Sequence, residues 1–254
     1  MEKVLHFVHR TNRWHRVGLL FLIVELRLVP LRQYGFTCKD PALSYPFTGD
    51  TVSTKWLLAT IIIFPLVFLL IAERLLRKDA TDNWKRRAIH WYKEYMFGVM
   101  LNLTFIGLLK VIVGSPRPHF FDTCQPLEAN NCVDSEFVSS YTCTKHGWIH
   151  QSDHSFPSGH ASLGVHAAFF LVLYLHKHFN RCLSTHAFQI ALFTASTICG
   201  ASRMWDHRHH WWDVLAGSVL AVPILAYTIW FSCNNFEYPH DSLEKSEKEN
   251  SESG

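Results

Sequence analysis

Leu57-Leu58-Ala59-Thr60-Ile61-Ile62-Ile63-Phe64 has no charged residue and no polar stripe. A helix that packs on a core in water keeps one polar face; a helix over these residues would be apolar all round, whichever way it turned. Lipid is the solvent that suits it. The stretch sits inside a longer apolar run, Trp56–Ala72, and five similar runs lie on either side. They are about Trp14–Tyr34, Met96–Val113, about Gly159–Leu175, Phe188–Ala201 and Trp211–Phe231. The fold expected is therefore all-α: a polytopic membrane protein with six transmembrane helices, not a soluble helical bundle. Several runs fall short of the roughly 20 residues that an upright helix needs, so their ends extend into the interface. The first run carries Glu25 and Arg27, which are unusual in lipid; either the span boundary is irregular there or one of them faces the bundle interior.

Residues 1–237 read as one membrane domain. The tail Tyr238–Gly254, rich in Glu, Lys and Ser, reads as disordered. Met1–Arg16 is basic but lacks an apolar run with a small-residue cleavage site, so the first span is expected to stay. The net charge of +3 is too small to argue for a nucleic-acid partner. Its distribution orients the chain. Lys3, Arg10, Arg13 and Arg16 precede the first span. Arg74, Arg77, Lys78, Lys85, Arg86, Arg87 and Lys93 join the second to the third. Lys177 and Arg181 join the fourth to the fifth, and Lys245 and Lys248 lie in the tail. With six spans these segments share one side, the cytoplasmic one. Pro30–Lys55, Gly114–Ser158 and Ser202–His210 then face the exterior or a lumen. Cys38, Cys124, Cys132 and Cys143 all fall on that oxidising side, where at least one disulfide is expected; four cysteines allow three pairings. Cys182 and Cys233 fall at the inner face, where acylation is conceivable. The one sequon, Asn102-Leu103-Thr104, lies within the third span and out of reach of glycosylation.

Three outer-side segments carry chemistry. Ser202-Arg203-Met204-Trp205-Asp206-His207-Arg208-His209-His210-Trp211-Trp212-Asp213 lies between the last two apolar runs. Arg203 offers a fixed cation that can grip a phosphate bidentately. If a helix begins near His209, Asp213 lies one turn on and can hold the His209 imidazole in one tautomer. Lys110 lies near the outer end of the third span, and Ser115-Pro116-Arg117-Pro118 carries Arg117 out of it on an extended exit. Ser155-Phe156-Pro157-Ser158-Gly159-His160 opens the fourth span. Pro157 suits a helix start, and Ser158 with the Gly159 N–H makes an anion site at a helix N-terminus.

Taken in order, Lys110…Arg117-Pro118, Pro157-Ser158-Gly159-His160 and Ser202-Arg203…His209…Asp213 match K-x-x-x-x-x-x-R-P, P-S-G-H and S-R-x-x-x-x-x-H-x-x-x-D. The chain thereby closely resembles the type 2 phosphatidic acid phosphatase superfamily. Its first outer loop, with Gly35-Phe36-Thr37-Cys38-Lys39-Asp40, Tyr45-Pro46-Phe47 and Asp50-Thr51-Val52, looks like that of the animal lipid phosphate phosphatase branch. The long outer loop lacks the sequon that many members carry.

The resemblance implies an active site at the outer ends of helices 3, 4 and 6. His209 would be the nucleophile that forms a phosphohistidine, Asp213 its partner, and His160 the acid for the leaving alcohol and the base for water. Lys110, Arg117, Ser158, Gly159 and Arg203 would bind the phosphoryl oxygens. Three cations stand where many phosphatases place a metal, so neither a metal nor another cofactor is expected. Asp206, His207, His209, His210 and Asp213 admit a zinc reading but match no metal-site template. An outward pocket at helix ends suits phosphatidate, lysophosphatidate, sphingosine 1-phosphate or ceramide 1-phosphate, drawn from the outer leaflet, with membrane lipid around the chain. The plasma membrane is the expected location, internal membranes the alternative, and a homo-oligomer is compatible with the sequence. Two other classes share the fold: a lipid phosphotransferase of the sphingomyelin-synthase type, and a non-catalytic lipid-binding protein. The arginine-proline pair favours hydrolysis over transfer, and the presence of His160, His209 and Asp213 favours an enzyme.

Overall fold

The computed structural model describes residues 2–26, 28, 32–76, 83–145, 147, 149–179 and 183–238. Their α-helices, in chain order, are α1 (Glu2–Glu25), α2 (Thr54–Leu76), α3 (Trp84–Val113), α4 (Phe120–Cys124), α5 (Ile149–Ser152), α6 (Gly159–His178), α7 (Leu183–Trp205) and α8 (Trp211–Tyr227). A π-helical turn, Thr228–Ser232, continues α8. Among the described residues, α2, α3, α6 and α8 with its continuation are long and apolar enough to cross a membrane. Those are four of the six expected spans. The other two, α1 and α7, are helices of 24 and 23 residues that are long enough but lack a sufficiently apolar stretch among the described residues. Arg27, Arg77, Lys78, Arg181, Cys182, Lys245, Lys248 and all of the tail beyond Tyr238 lie outside the described residues.

The apolar runs mark less than the helices. The first run was expected from Trp14 to Tyr34, yet α1 occupies Glu2–Glu25. The third run begins at Met96, yet α3 begins twelve residues earlier at Trp84. Lys, Arg and Glu are good helix formers, so a helix continues through charged residues beyond the apolar part. Beyond α1 the backbone of residues 32–35 is non-helical. There Arg32 N–H donates to Val111 O (3.2 Å) and Tyr34 N–H to Gly114 O (3.3 Å), which lays this segment along the end of α3. Gly114 ends α3 in the left-handed region, φ 59°. A Cβ there would lie 1.6 Å from Arg32 O, so only glycine allows the approach.

The main core fills the space between α2, α3, α6 and α8, with Leu69, Trp91, Tyr95, Phe170 and Tyr174 fully buried. At the end that holds the start of α1 and the close of α8, Arg13 pairs with Glu94 of α3 and donates to Ser232 Oγ (2.9 Å). Buried Glu73 of α2 accepts from Trp91 Nε1 and Tyr174 OH, each at 2.8 Å. Glu25, at the last residue of α1, is exposed rather than turned to the bundle interior. Cys233 is 1% exposed, so its thiol is not presented for acylation. Asn102 is fully buried and bonded to Ser162 Oγ (2.8 Å).

At the opposite end a small lobe is built from the loops after α1 and α3. Strand β1 (Phe36–Thr37) pairs antiparallel with β2 (Phe137–Val138), Phe36 facing Val138. Phe36, Leu43, Phe120 and Tyr141 form its core. Disulfides join Cys38 to Cys132 and Cys124 to Cys143, one of the three pairings open to the sequence.

Candidate active site

The site lies where the ends of α3 and α7 meet the starts of α6 and α8. Lys110 is in the last turn of α3, and its Nζ donates to His154 O (2.9 Å). Gly114 turns the chain, and Arg117 comes back to donate from Nη2 to the same carbonyl (3.3 Å). Two cations from one helix end thus converge on one oxygen. Arg117 N–H donates to Ser152 O (2.8 Å), and Ser155 N–H to Ser115 O (2.9 Å), which ties the chain before α6 to the chain after α3.

Helix α6 starts two residues later than a proline at N1 would have it. Ser158, with extended backbone (φ −73°, ψ 114°), is the cap, and Pro157 precedes it. The Ser158 N–H donates to Asp213 O in the first turn of α8 (2.9 Å). Its hydroxyl is fully buried and has no hydrogen-bond partner among the described residues, so it does not cap its own helix. Gly159 follows with its backbone at the helix start, and His160 faces the loop before α2, Nε2 lying 3.0 Å from Val52 O.

Ser202 and Arg203 lie in the last turn of α7, not in a loop. Arg203 is 1% exposed. Its Nη1 meets Asp50 Oδ1 (2.9 Å), its Nη2 meets Asp206 Oδ2 (2.7 Å), and Nε and Nη2 both donate to Ser202 Oγ (3.3 Å). Of five N–H donors, one on Nη1 is left without an acceptor among the described residues. The turn to α8 passes through His207 in the left-handed region (φ 50°). Helix α8 begins at Trp211 with His210 as its cap, two residues later than a start at His209. The ring of His210 accepts from the Asp213 N–H while Asp213 Oδ2 accepts from the His210 N–H (2.9 Å). This capping box fixes the helix start. His209 therefore stands just outside the helix, yet its Nδ1 still comes within 3.7 Å of Asp213 Oδ2. Asp213 is fully buried.

Burial, with Arg117 and Lys110 nearby, pushes the His209 imidazole well below its ordinary value; Asp213 opposes this, and the ring is neutral at pH 7. A neutral imidazole is the form that can attack an electrophile. Arg117 is pushed down to about 9, first by burial and then by Arg208, and keeps its charge at neutral pH. Burial and the same two arginines push His119 down to about 3. His119 Nδ1 lies 3.0 Å from Thr123 Oγ1, and its Nε2 lies 3.3 Å from Arg208 Nη1, where a neutral ring accepts.

The structure brings Lys110, Arg117, Ser158, Gly159, His160, Arg203, His209 and Asp213 to one end of the bundle. The zinc alternative disperses: Asp206 holds Arg203 and Thr51, His207 stacks on Tyr45 (4.1 Å between ring centres), and His210 stacks on Trp212 (4.5 Å). No group of three or more His, Cys, Asp or Glu among the described residues is placed to hold a metal. Several site residues had no role in the sequence reading. Arg208 pairs with Asp50 (3.0 Å) and lies over the Phe47 ring. Asp50 bridges Arg203 and Arg208, and Thr51 binds Asp206 through its N–H (2.8 Å) and hydroxyl (2.6 Å). Ser155 lies against both Asp213 and His209. Arg208 had one available signal, its place beside His209.

Residues 91–237 match the family described as PAP2 superfamily. A Drosophila melanogaster protein with phosphatidate phosphatase in its name is 30% identical over 81% of this chain and 65% of its own length. Mouse phospholipid phosphatase 1 is 28% identical over 91% of this chain and 86% of its own length. Mouse phospholipid phosphatase 2 is 28% identical over 87% and 83%. No solved structure matches the chain.

Proposed function

The chain belongs to the PAP2 superfamily, and from that premise we propose that it is a lipid phosphate phosphatase acting through a phosphohistidine. The observation that carries the reading is the convergence of Lys110 and Arg117 on one carbonyl, beside a buried, neutral His209 backed by Asp213. Lys110, Arg117, the idle Ser158 hydroxyl, the Gly159 N–H and the remaining Nη1 hydrogen of Arg203 take the phosphoryl oxygens. Their charge and dipoles stabilise the transition state without a metal. His209 attacks phosphorus. His160 protonates the leaving alkoxide and then takes a proton from the water that cleaves the phosphorus–nitrogen bond. Asp213 orients the His209 ring and offsets its charge once phosphorylated.

In this reading α1 and α7 cross the membrane with the other four helices, both termini are cytoplasmic, and the site opens outward at the plasma membrane. Exposed Trp56, Trp205, Trp211 and Trp212 all lie at the site's end of the bundle, as interfacial anchors would. The substrate is then a lipid whose tail stays in the outer leaflet: phosphatidate, lysophosphatidate, sphingosine 1-phosphate or ceramide 1-phosphate. The names of the relatives support a phospholipid substrate.

The test is phosphate release from these four lipids in detergent, with and without EDTA, alongside His209→Ala. Release that resists EDTA and vanishes in His209→Ala supports the proposal. Undiminished release by His209→Ala refutes the mechanism.

A further inference from the structure

We propose that Ser155 is a positioning residue for the nucleophile: its hydroxyl links the His209 ring to Asp213 and fixes which ring nitrogen carries the proton. The inference rests on the reading of His209 as nucleophile.

The distances demand an intermediary. His209 Nδ1 and Asp213 Oδ2 are 3.7 Å apart, too far for a direct hydrogen bond. Ser155 Oγ lies 2.5 Å from Asp213 Oδ2 and 3.4 Å from His209 Nδ1. The serine is fully buried, and its own N–H is fixed to Ser115 O, so the hydroxyl is anchored to the segment between Lys110 and Arg117. Asp213 directs a single oxygen at this corner. Oδ2 receives Ser155 Oγ and the His210 N–H, while Oδ1 has no partner among the described residues.

Donor and acceptor roles follow from chemistry. An ionised carboxylate accepts only, so the Ser155 O–H must point at Oδ2. The oxygen's lone pairs are then what faces His209 Nδ1, and that nitrogen must carry the hydrogen. The other nitrogen, Nε2, is left with its lone pair free. When Nε2 bonds to phosphorus, the phosphorus–ester oxygen bond breaks and protonated His160 gives its proton to the departing alkoxide. The His209 ring becomes a phosphoimidazolium that keeps its Nδ1 hydrogen. Its charge is felt by Asp213 through the serine. Water then attacks phosphorus, His160 takes the water's proton, the phosphorus–nitrogen bond breaks, and the ring returns as the same neutral tautomer. A direct contact that tightens during reaction would make the serine dispensable, and the test decides this.

Ser155→Ala and Ser155→Cys are compared with the unaltered protein in detergent. Cysteine nearly keeps the volume but is a weaker donor, so it guards against a folding failure in the alanine variant. The expected result is a fall in kcat of about 10²-fold for Ser155→Ala, the scale of a lost positioning contact, with KM within about twofold. The acid limb of kcat/KM should move to lower pH, because the cationic ring loses its link to the carboxylate. The charges that face His209 are Lys110 and Arg117 from the α3 side and Asp213 from α8; neither substitution alters them. His210, whose Nδ1 lies 3.4 Å from the same Asp213 oxygen, is also unchanged. Ser155→Ala placed on Asp213→Asn should cost little more than Asp213→Asn alone, since the two act as a unit. Full turnover in either folded variant overturns the proposal. So does a loss with an unmoved acid limb that multiplies with the loss from Asp213→Asn. If His209→Ala still turns over, the nucleophile reading itself fails; if it is dead while the Ser155 variants are active, only the serine's role fails.

Discussion

Gly217→Ala should cut kcat by about 10²-fold while the protein stays folded, for reasons that can be worked from the backbone. Gly217 lies one turn beyond Asp213 in α8, where that helix meets the start of α6. A Cβ at this position would stand 2.3 Å from Ser158 O, 3.2 Å from its carbonyl carbon and 3.3 Å from its nitrogen. All three are main-chain atoms, so no rotamer change relieves them. Reaching an ordinary contact of 3.4 Å requires the two segments to part by about 1.1 Å at the closest pair. Overpacking of this kind costs roughly 1–3 kcal/mol, and alanine's better helix propensity returns about 1 kcal/mol, so the fold survives. Catalysis has less tolerance. The same parting stretches the 2.9 Å bond from Ser158 N–H to Asp213 O and moves the Ser158 hydroxyl and Gly159 N–H away from His209. A displacement near 1 Å is enough to lose about 10²-fold in rate. Phosphate release in detergent, read together with the thermal melting midpoint, measures both quantities. Gly164→Ala is the control: it lies in α6, and its added carbon meets nothing closer than Ser196 Oγ at 3.5 Å. Wild-type turnover in Gly217→Ala, or equal losses in both variants, would refute the reasoning.

Three further outcomes are expected. Because burial lowers the His209 value, the ring proposed as nucleophile stays unprotonated as pH falls through 6.5, so kcat/KM should hold its plateau there; an acid limb at or above pH 6.5 contradicts this. Asp50→Asn removes one negative charge shared by Arg203 and Arg208, and inorganic phosphate should then inhibit about tenfold more strongly; an unchanged or weaker inhibition counts against Asp50 as a competitor for those cations. Loss of the Cys38–Cys132 bond, which spans 94 residues, should lower the melting midpoint more than loss of Cys124–Cys143, which spans 19. Loop entropy puts the two at about 4.7 and 3.2 kcal/mol, and the reverse order in Cys38→Ala against Cys124→Ala would contradict the entropic account.

What could be read from the amino acids was whatever depends on neighbours in sequence. Apolar runs revealed the helices, and residues three to eight apart revealed the three clusters that meet at the site. Helix ends were misplaced wherever charged residues continue a helix past its apolar part, as in α1 and α3. The apolar run from Trp211 begins where α8 does; a start near His209 was the alternative, and the capping box of His210 and Asp213 decides against it, a carboxylate at that position reading equally well as a catalytic partner. Contacts across distant segments were invisible. Asp50 meets Arg203 over a separation of 153 residues, and Val52 meets His160 over 108; nothing local to Asp50 or Val52 foretells either. Ser155 was in plain view beside Pro157-Ser158-Gly159-His160, but a hydroxyl gains a role only from what the fold places within 3 Å of it. The choice among three disulfide pairings likewise waited for the pairing of β1 with β2.

The Cys38–Cys132 bond also carries information about parity. Cys38 follows α1 and Cys132 follows α3, so only α2 and α3 separate them among the membrane-length helices. Their Cα atoms are 6.1 Å apart, whereas a bilayer's hydrocarbon core is about 30 Å thick. The bond can therefore close only if the chain crosses an even number of times between the two cysteines: both helices thread, or neither does. A chain in which α2 inserts and α3 does not would leave the two thiols on opposite faces, and no oxidant could join them. Oxidation at this one position therefore excludes a chain in which just one of the two helices has threaded.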